Sequence, residues 1–233
     1  MALVKFGPGI VDARGSVGGV VFSKNSTSHY MRARTIPVNP NTEWQDQIRS
    51  AMANLCDQWS QILDAAARTA WELYASRVTV KNKLGEAINI SGFNHFLRSN
   101  IPRVQAGVAV ITAGPTVWQL PAQDDDFAIV ADETAQTIEF TFNEALAWAK
   151  VTGAYMFKYQ GVPQNPQRNF FNGPWRYIDK IDGVDSTGAS SPDTEDVKFV
   201  ITELQRQWCY ARISMLDGRL SEPFRAVCFV TKT

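Results

Sequence analysis

Residues 137–142, Thr-Ile-Glu-Phe-Thr-Phe, alternate polar and apolar side chains without a break. Residues 155–159, Tyr-Met-Phe-Lys-Tyr, repeat the beat with an aromatic ring at every second position. Successive side chains of an extended strand point to opposite faces, so a period of two marks β-strands. Helical apolar residues would instead recur every three or four. Further extended segments follow at 175–181, 197–201, 208–215 and 224–230, separated by loops rich in Gly, Pro, Asn and Ser, notably 160–174 and 182–196. Short strands at this spacing predict an antiparallel β-sandwich over residues 113–233.

Upstream the period changes. Thr42-Glu-Trp-Gln45 has the T-x-x-Q form of a capping box, in which each end satisfies an orphan backbone N–H of a helix start. Trp44, Ile48, Met52, Leu55, Trp59 and Ile62 then recur every three or four residues, one apolar stripe on a helix of about 20 residues. Asp64 is placed to cap a second helix, 65–76, that presents Ala67, Trp71 and Tyr74. A turn is expected around Leu84-Gly85-Glu86. Ser91 caps a third helix carrying Phe93, Phe96, Leu97 and Ile101, which Pro102 is expected to stop. These helices make a thin core for residues 37–112, and part of the stripe is expected to be covered by another subunit.

Residues 1–36 are different again. Lys5, Arg14, Lys24, Arg32 and Arg34 face only Asp12, and glycine is frequent. Two short strands, 17–23 and 29–34, flank a polar turn at 24–28 and predict a β-hairpin arm. The glycines at 15, 18 and 19 precede a strand, so no helix N-terminus stands ready for phosphate. The fold expected from these parts is α+β: a basic hairpin arm (1–36), a small helical layer (37–112) and the sandwich (113–233).

Composition restricts function more than it assigns it. The 233 residues are 45% hydrophobic and 20% charged, ordinary for a folded protein. Lys plus Arg equals Asp plus Glu at 23 each, which argues against nucleic acid as a partner. Beneath that balance, residues 1–112 hold 12 basic and 7 acidic side chains, and residues 113–233 hold 11 and 16. The apolar run 104–111 is too short to span a membrane, and the N-terminus lacks a signal-peptide layout. Cys56, Cys209 and Cys228 show no metal or redox spacing and read as reduced thiols, with a Cys209–Cys228 bridge the lesser alternative. Only His29 and His95 offer near-neutral bases, and no catalytic template accompanies either, so no enzyme, cofactor or metal site is expected. Asp124-Asp125-Asp126 lacks the spacing of a calcium loop and reads as a solvated connection. The sequons at Asn25 and Asn89 are chance matches in a chain without a secretory signal. Phe170-Phe171 stands apart: of two adjacent rings in a loop, either one packs inward and one is offered to a partner, or both fold over the end of the sandwich.

Arg14-Gly-Ser-Val-Gly-Gly-Val-Val-Phe-Ser23, Arg32-Ala-Arg34, Pro37-Val-Asn-Pro-Asn-Thr42, Trp59 with Arg68-Thr-Ala-Trp71, and Gly92-Phe-Asn-His-Phe-Leu-Arg-Ser-Asn100 resemble an uncharacterised group of tailed-bacteriophage virion proteins. Separately, Leu204, Tyr210-Ala-Arg-Ile213, Asp217-Gly218 and Ser221-Glu-Pro223 resemble the late strands of a fibronectin type III-like sandwich. Tyr210 would then be the corner tyrosine, its hydroxyl bonded to upstream backbone. The first resemblance implies a virion structural protein made in the bacterial cytoplasm, most simply a capsid decoration or cement protein. Its implied partners are further copies of itself, as a homo-oligomer, and the major capsid protein. The expected contact residues are Arg14, Arg32, Arg34, Trp44 and Trp59, with Phe170 and Phe171 as a second patch. A tail, connector or fibre position and a glycan-binding attachment module are the alternatives.

Overall fold

The computed structural model describes residues 2–4, 6–10, 12–24, 29–36, 38–81 and 86–232. Packing divides the chain after Thr42 into Met1–Thr42 and Glu43–Thr233, in place of three parts with boundaries at 36 and 112. The expected boundary at 112 vanishes because helices and sheet are sewn together. Arg103 Nη1 donates to Ser214 Oγ at 3.2 Å, Arg98 pairs with Glu222 at 2.9 Å, and Trp71 Nε1 donates to the Thr112 carbonyl at 2.9 Å.

In the first unit, β1 (Ala2–Val4), β2 (Gly15–Val17), β3 (Val20–Lys24) and β4 (His29–Ala33) form an antiparallel sheet in the order β1-β4-β3-β2. The single strand expected over 17–23 is broken in two. Gly18, at φ 57, and Gly19 form a two-residue turn that pairs Val17 with Val20, a geometry glycine adopts without steric cost. β3 and β4 make the expected hairpin, whose turn at 25–28 lies outside the described residues, as do Lys5 and Pro37. β1 was not legible in the sequence.

In the second unit, α1 (Glu43–Asp57) begins directly after Thr42 and runs into a π-helical turn at Gln58–Ile62, closed by Leu63 N–H on the Gln58 carbonyl at 2.8 Å. The wider turn ends the stripe. Leu55 is fully buried and Trp59 meets Phe93 and Phe96, whereas Met52 and Ile62 face water. α2 (Ala65–Arg77) is capped by Asp64, which accepts from Ala67 N–H at 2.7 Å. β5 (Val80–Lys81) and β6 (Ala87–Ile88) pair around the expected turn, of which 82–85 lie outside the described residues. α3 (Gly92–Gln105) is capped by Ser91 Oγ on Asn94 N–H. Contrary to expectation, Pro102 does not stop it. Proline removes one donor, but its carbonyl still accepts from Ala106 N–H at 3.0 Å, and the helix runs on for most of a turn.

Seven strands follow: β7 (Ala128–Asp132), β8 (Thr137–Thr141), β9 (Tyr155–Gly161), β10 (Trp175–Asp182), β11 (Asp193–Asp196), β12 (Arg206–Ser214) and β13 (Phe224–Thr231). They form one sheet in the order β10-β9-β12-β13-β7-β8-β11, whose end strands approach each other so that it nearly closes. The architecture is therefore mixed helix and sheet. The sheet is not wholly antiparallel. β13 and β7 run parallel through Val230↔Ala131 and Thr231↔Asp132, because they are distant in sequence and no hairpin dictates their direction. β7 was missed, and 197–201 is no strand: Lys198 and Phe199 donate to the Gln160 side chain and Ile201 to that of Gln136. The third-to-last strand is instead the acidic stretch 193–196, which had read as loop. Inside the sheet pack Ile138, Phe140, Met156, Cys209, Ala211 and Ile213. β9 is buried on both faces, and the aromatic row of Phe157 and Tyr159 lies outside that core, toward the helical layer.

Candidate interaction surfaces

None of the described residues from Phe6 to Thr42 is buried. Cross-strand partners point to the same side of a sheet, so Val17, Val20, Phe22, Met31 and Ala33 share one face, with Lys24 and His29 at its end, and Ser16, Val21, Ser23, Tyr30 and Arg32 share the other. The apolar face lies open, with Val17 75% exposed. Arg32 stands opposite Val21, and Arg34 N–H donates to the Gly19 carbonyl at 2.8 Å. Arg14 pairs with Asp12 at 3.2 Å, and His29 Nε2 approaches the same carboxylate at 3.0 Å without hydrogen-bond alignment. A slight desolvation would raise the Asp12 carboxyl, but the Arg14 and His29 charges hold it below the usual range. Of the three expected arm arginines, Arg32 thus lies in β4, while Arg14 stands directly before β2 and Arg34 directly after β4.

Trp44 and Trp59, expected on one stripe, have separate roles. Trp59 packs into the helical core. Trp44 and Ile48 of α1 instead form one wall of a groove of about 330 Å³, with Ile101 of α3 and Trp175, Tyr210 and Arg212 of the sheet completing it. Tyr210 stacks face to face on Tyr159 with ring centroids 4.4 Å apart, and Trp175 meets its edge at 4.9 Å. That stacking replaces the corner role the resemblance implied; among the described residues its hydroxyl makes no backbone bond. Arg212 Nε is buried without a partner, and Arg212 forms no ion pair among the described residues. Burial against these rings lowers its pKa, with Arg98 adding repulsion. Nothing in the sequence pointed to this groove, because its walls come from five separate elements.

Phe170 and Phe171 divide. Phe171 is buried over Gly161, where a Cβ would sit 2.3 Å from its ring, and Phe170 is 68% exposed. Arg168, Arg206 and Arg225 brace this loop through its backbone carbonyls.

The other candidates resolve into structural roles. Asp124 is buried, not solvated: it accepts from Asp126 N–H and Asn143 N–H and staples the entry to the sheet. No metal-ligating cluster occurs among the described residues, and no helix of the described residues is long and apolar enough to cross a membrane. The three cysteines are free thiols. Burial pushes the Cys228 thiol up to about 11 and the Cys209 thiol further still. His95 is buried edge-on to Tyr74 at 5.0 Å, and burial holds its pKa down at about 4.

No protein-family model and no curated protein matches the chain. Among solved structures it is similar to an Fn3-like protein from Clostridium thermocellum, at 17% identity, a TM-score of 0.30, and coverage of 49% of this chain and 98% of that one. It is also similar to the adhesin domain of Epf from Streptococcus pyogenes, at 9% identity and 0.30, over 49% of this chain and 33% of that one. A family 76 glycoside hydrolase from a bovine Bacteroides thetaiotaomicron strain follows at 13% and 0.30, over 48% and 20%. Likenesses at this score assign no role.

Proposed function

We propose that this chain is a non-enzymatic bacteriophage virion structural protein, a capsid decoration or cement protein that assembles with its own copies and with the major capsid protein. The carrying observation is the N-terminal sheet: four strands with an apolar face, no buried residue among those described, and basic side chains on or beside it. An ordered sheet of this size has no core of its own and is stabilised by the surface it covers. The phage assignment itself rests on the sequence motifs of residues 14–100.

The second unit fits a display or bridging role. Its strand order is compatible with a fibronectin type III-like sandwich, with β10-β9-β12-β13 as one layer and β7-β8-β11 as the other. A glycan-binding reading is less well supported. The aromatic row on β9, β10 and β12 is no open platform, since Tyr159 is buried and Tyr210 has one face stacked on Tyr159 and Trp175 set perpendicular to it.

The test is a phage producing the chain without residues 1–42. The truncated protein is expected to be missing from purified particles; full occupancy overturns the arm's role. Quantitative gels of parental particles separate a shell protein, at hundreds of copies, from a tail or neck component at a few dozen or fewer.

A further inference from the structure

The loop from Lys198 to Gln205 is held from several sides. Lys198 and Phe199 N–H donate to Gln160 Oε1, Ile201 exchanges two bonds with the Gln136 side chain, and Leu204 N–H donates to the Val230 carbonyl at 3.0 Å. Ile201 is buried beneath it. Although braced, the loop turns its two other aliphatic side chains outward, Val200 at 78% and Leu204 at 68% exposed. Leu204 sits at φ 65, a left-handed conformation that a leucine adopts at a cost. Glu203, exposed between them, makes no ion pair or hydrogen bond among the described residues. Rigid loops that hold apolar side chains in water at conformational cost are pre-organised for contact.

The groove beside Trp44 has the complementary character. Its walls combine the aliphatic and aromatic side chains of Trp44, Ile48, Ile101 and Trp175 with polar side chains, Gln105 among them; it carries the unpaired Arg212, and its other cation, Arg98, is already held by Glu222. Like charge disfavours the basic arm as its occupant, and a carboxylate flanked by aliphatic side chains matches it.

We propose that the Val200–Glu203–Leu204 knob of one copy seats in the Trp44–Ile101–Arg212 groove of a second copy, with Glu203 pairing to Arg212 and Leu204 covering Trp44 and Ile48. A chain does not fill its own groove. The knob immediately precedes β12 and Arg212 lies six residues along that strand from Arg206, about 20 Å away. The contact is head-to-tail, the kind that propagates into rings or open arrays. It rests on the reading of this chain as one that assembles with its own copies.

The experiment uses the full chain and its concentration-dependent mass in sedimentation velocity. Leu204→Asp, at an exposed position, is expected to leave the circular dichroism spectrum unchanged and to weaken self-association at least about tenfold. Glu203→Arg and Arg212→Glu are each expected to do the same, and an equimolar mixture of those two chains is expected to regain association, as assemblies in which the two alternate. If Arg212→Glu does not fold, Leu204→Asp and Glu203→Arg decide the matter alone. Parental self-association in both of these folded variants overturns the contact, as does a parent that remains monomeric up to about 100 μM, well above useful affinities. Association that survives these variants but is lost without residues 1–42 overturns the groove contact and leaves the arm reading standing.

Discussion

Lys158 alternates with the aromatic residues of its strand, and its side chain is fully buried, paired with Asp193 and with Glu195 at 2.8 Å, its ammonium 5.0 Å from the Phe140 ring centroid. It joins β9 to β11 across the interior, where the two ends of the sheet approach. Removing one partner of such a group strands the others. Lys158→Ala is expected to cost about 3 kcal/mol in urea unfolding, the low end of the range because both carboxylates keep some access to water. His95 makes a second test. The unfolded imidazole takes up a proton near pH 6.5, whereas in the fold it resists until about pH 4. The stability that neutral His95 protects is complete above pH 6.5 and drains away as pH falls toward 4. The loss amounts to about 2 kcal/mol between pH 7.5 and pH 5. In His95→Leu the pH profile over that interval is expected to be flatter by this amount; an unchanged slope overturns the assignment.

At the level of elements, what was legible depended on how local the cause was. The caps at Asp64 and Ser91 and the hairpin of β3 and β4 are decided within a few residues, and each appears where its residues stand. The paired phenylalanines left two readings open; that they divide, with Phe171 as the buried ring, depends on Gly161, ten positions away. The strand β11 was hidden because Asp-Thr-Glu-Asp looks like loop until Lys158 neutralises it. The groove was hidden because its residues come from five separate elements, four residues from α3 and the rest spread over α1, β9, β10 and β12. The close crossing of α2 and α3 at Gly92 was likewise unmarked: a Cβ there would lie 2.6 Å from the Glu72 nitrogen and 2.7 Å from the Trp71 carbonyl carbon. Gly92→Ala is therefore expected to destabilise by about 2 kcal/mol through overpacking, whereas Gly7→Ala, with open space around it, leaves the melting temperature unchanged.

For the whole molecule, a formal charge of zero conceals two oppositely charged units. Residues 1–42 carry five basic side chains against one acidic, and residues 43–233 carry 18 against 22. On the proposed assembly, arms and bodies of different copies would attract at long range, and salt would screen that attraction. Self-association of the full chain is expected to fall several-fold between 50 and 500 mM NaCl. The chain without residues 1–42 is expected to lose most of this salt dependence while unfolding cooperatively; equal salt sensitivity in both would place the attraction elsewhere.

The parallel rungs between β7 and β13 have a mechanical consequence. Val230↔Ala131 and Thr231↔Asp132 join the two halves of the sheet there, with Glu133 N–H on the Thr231 carbonyl and the Thr231 hydroxyl on the Ala131 carbonyl beside them, and the strands run side by side in one direction. Tension drawing the start of β7 away from the end of β13 pulls these rungs lengthwise. They then carry the load together instead of opening like a zipper, and a short seam yields late under stretch.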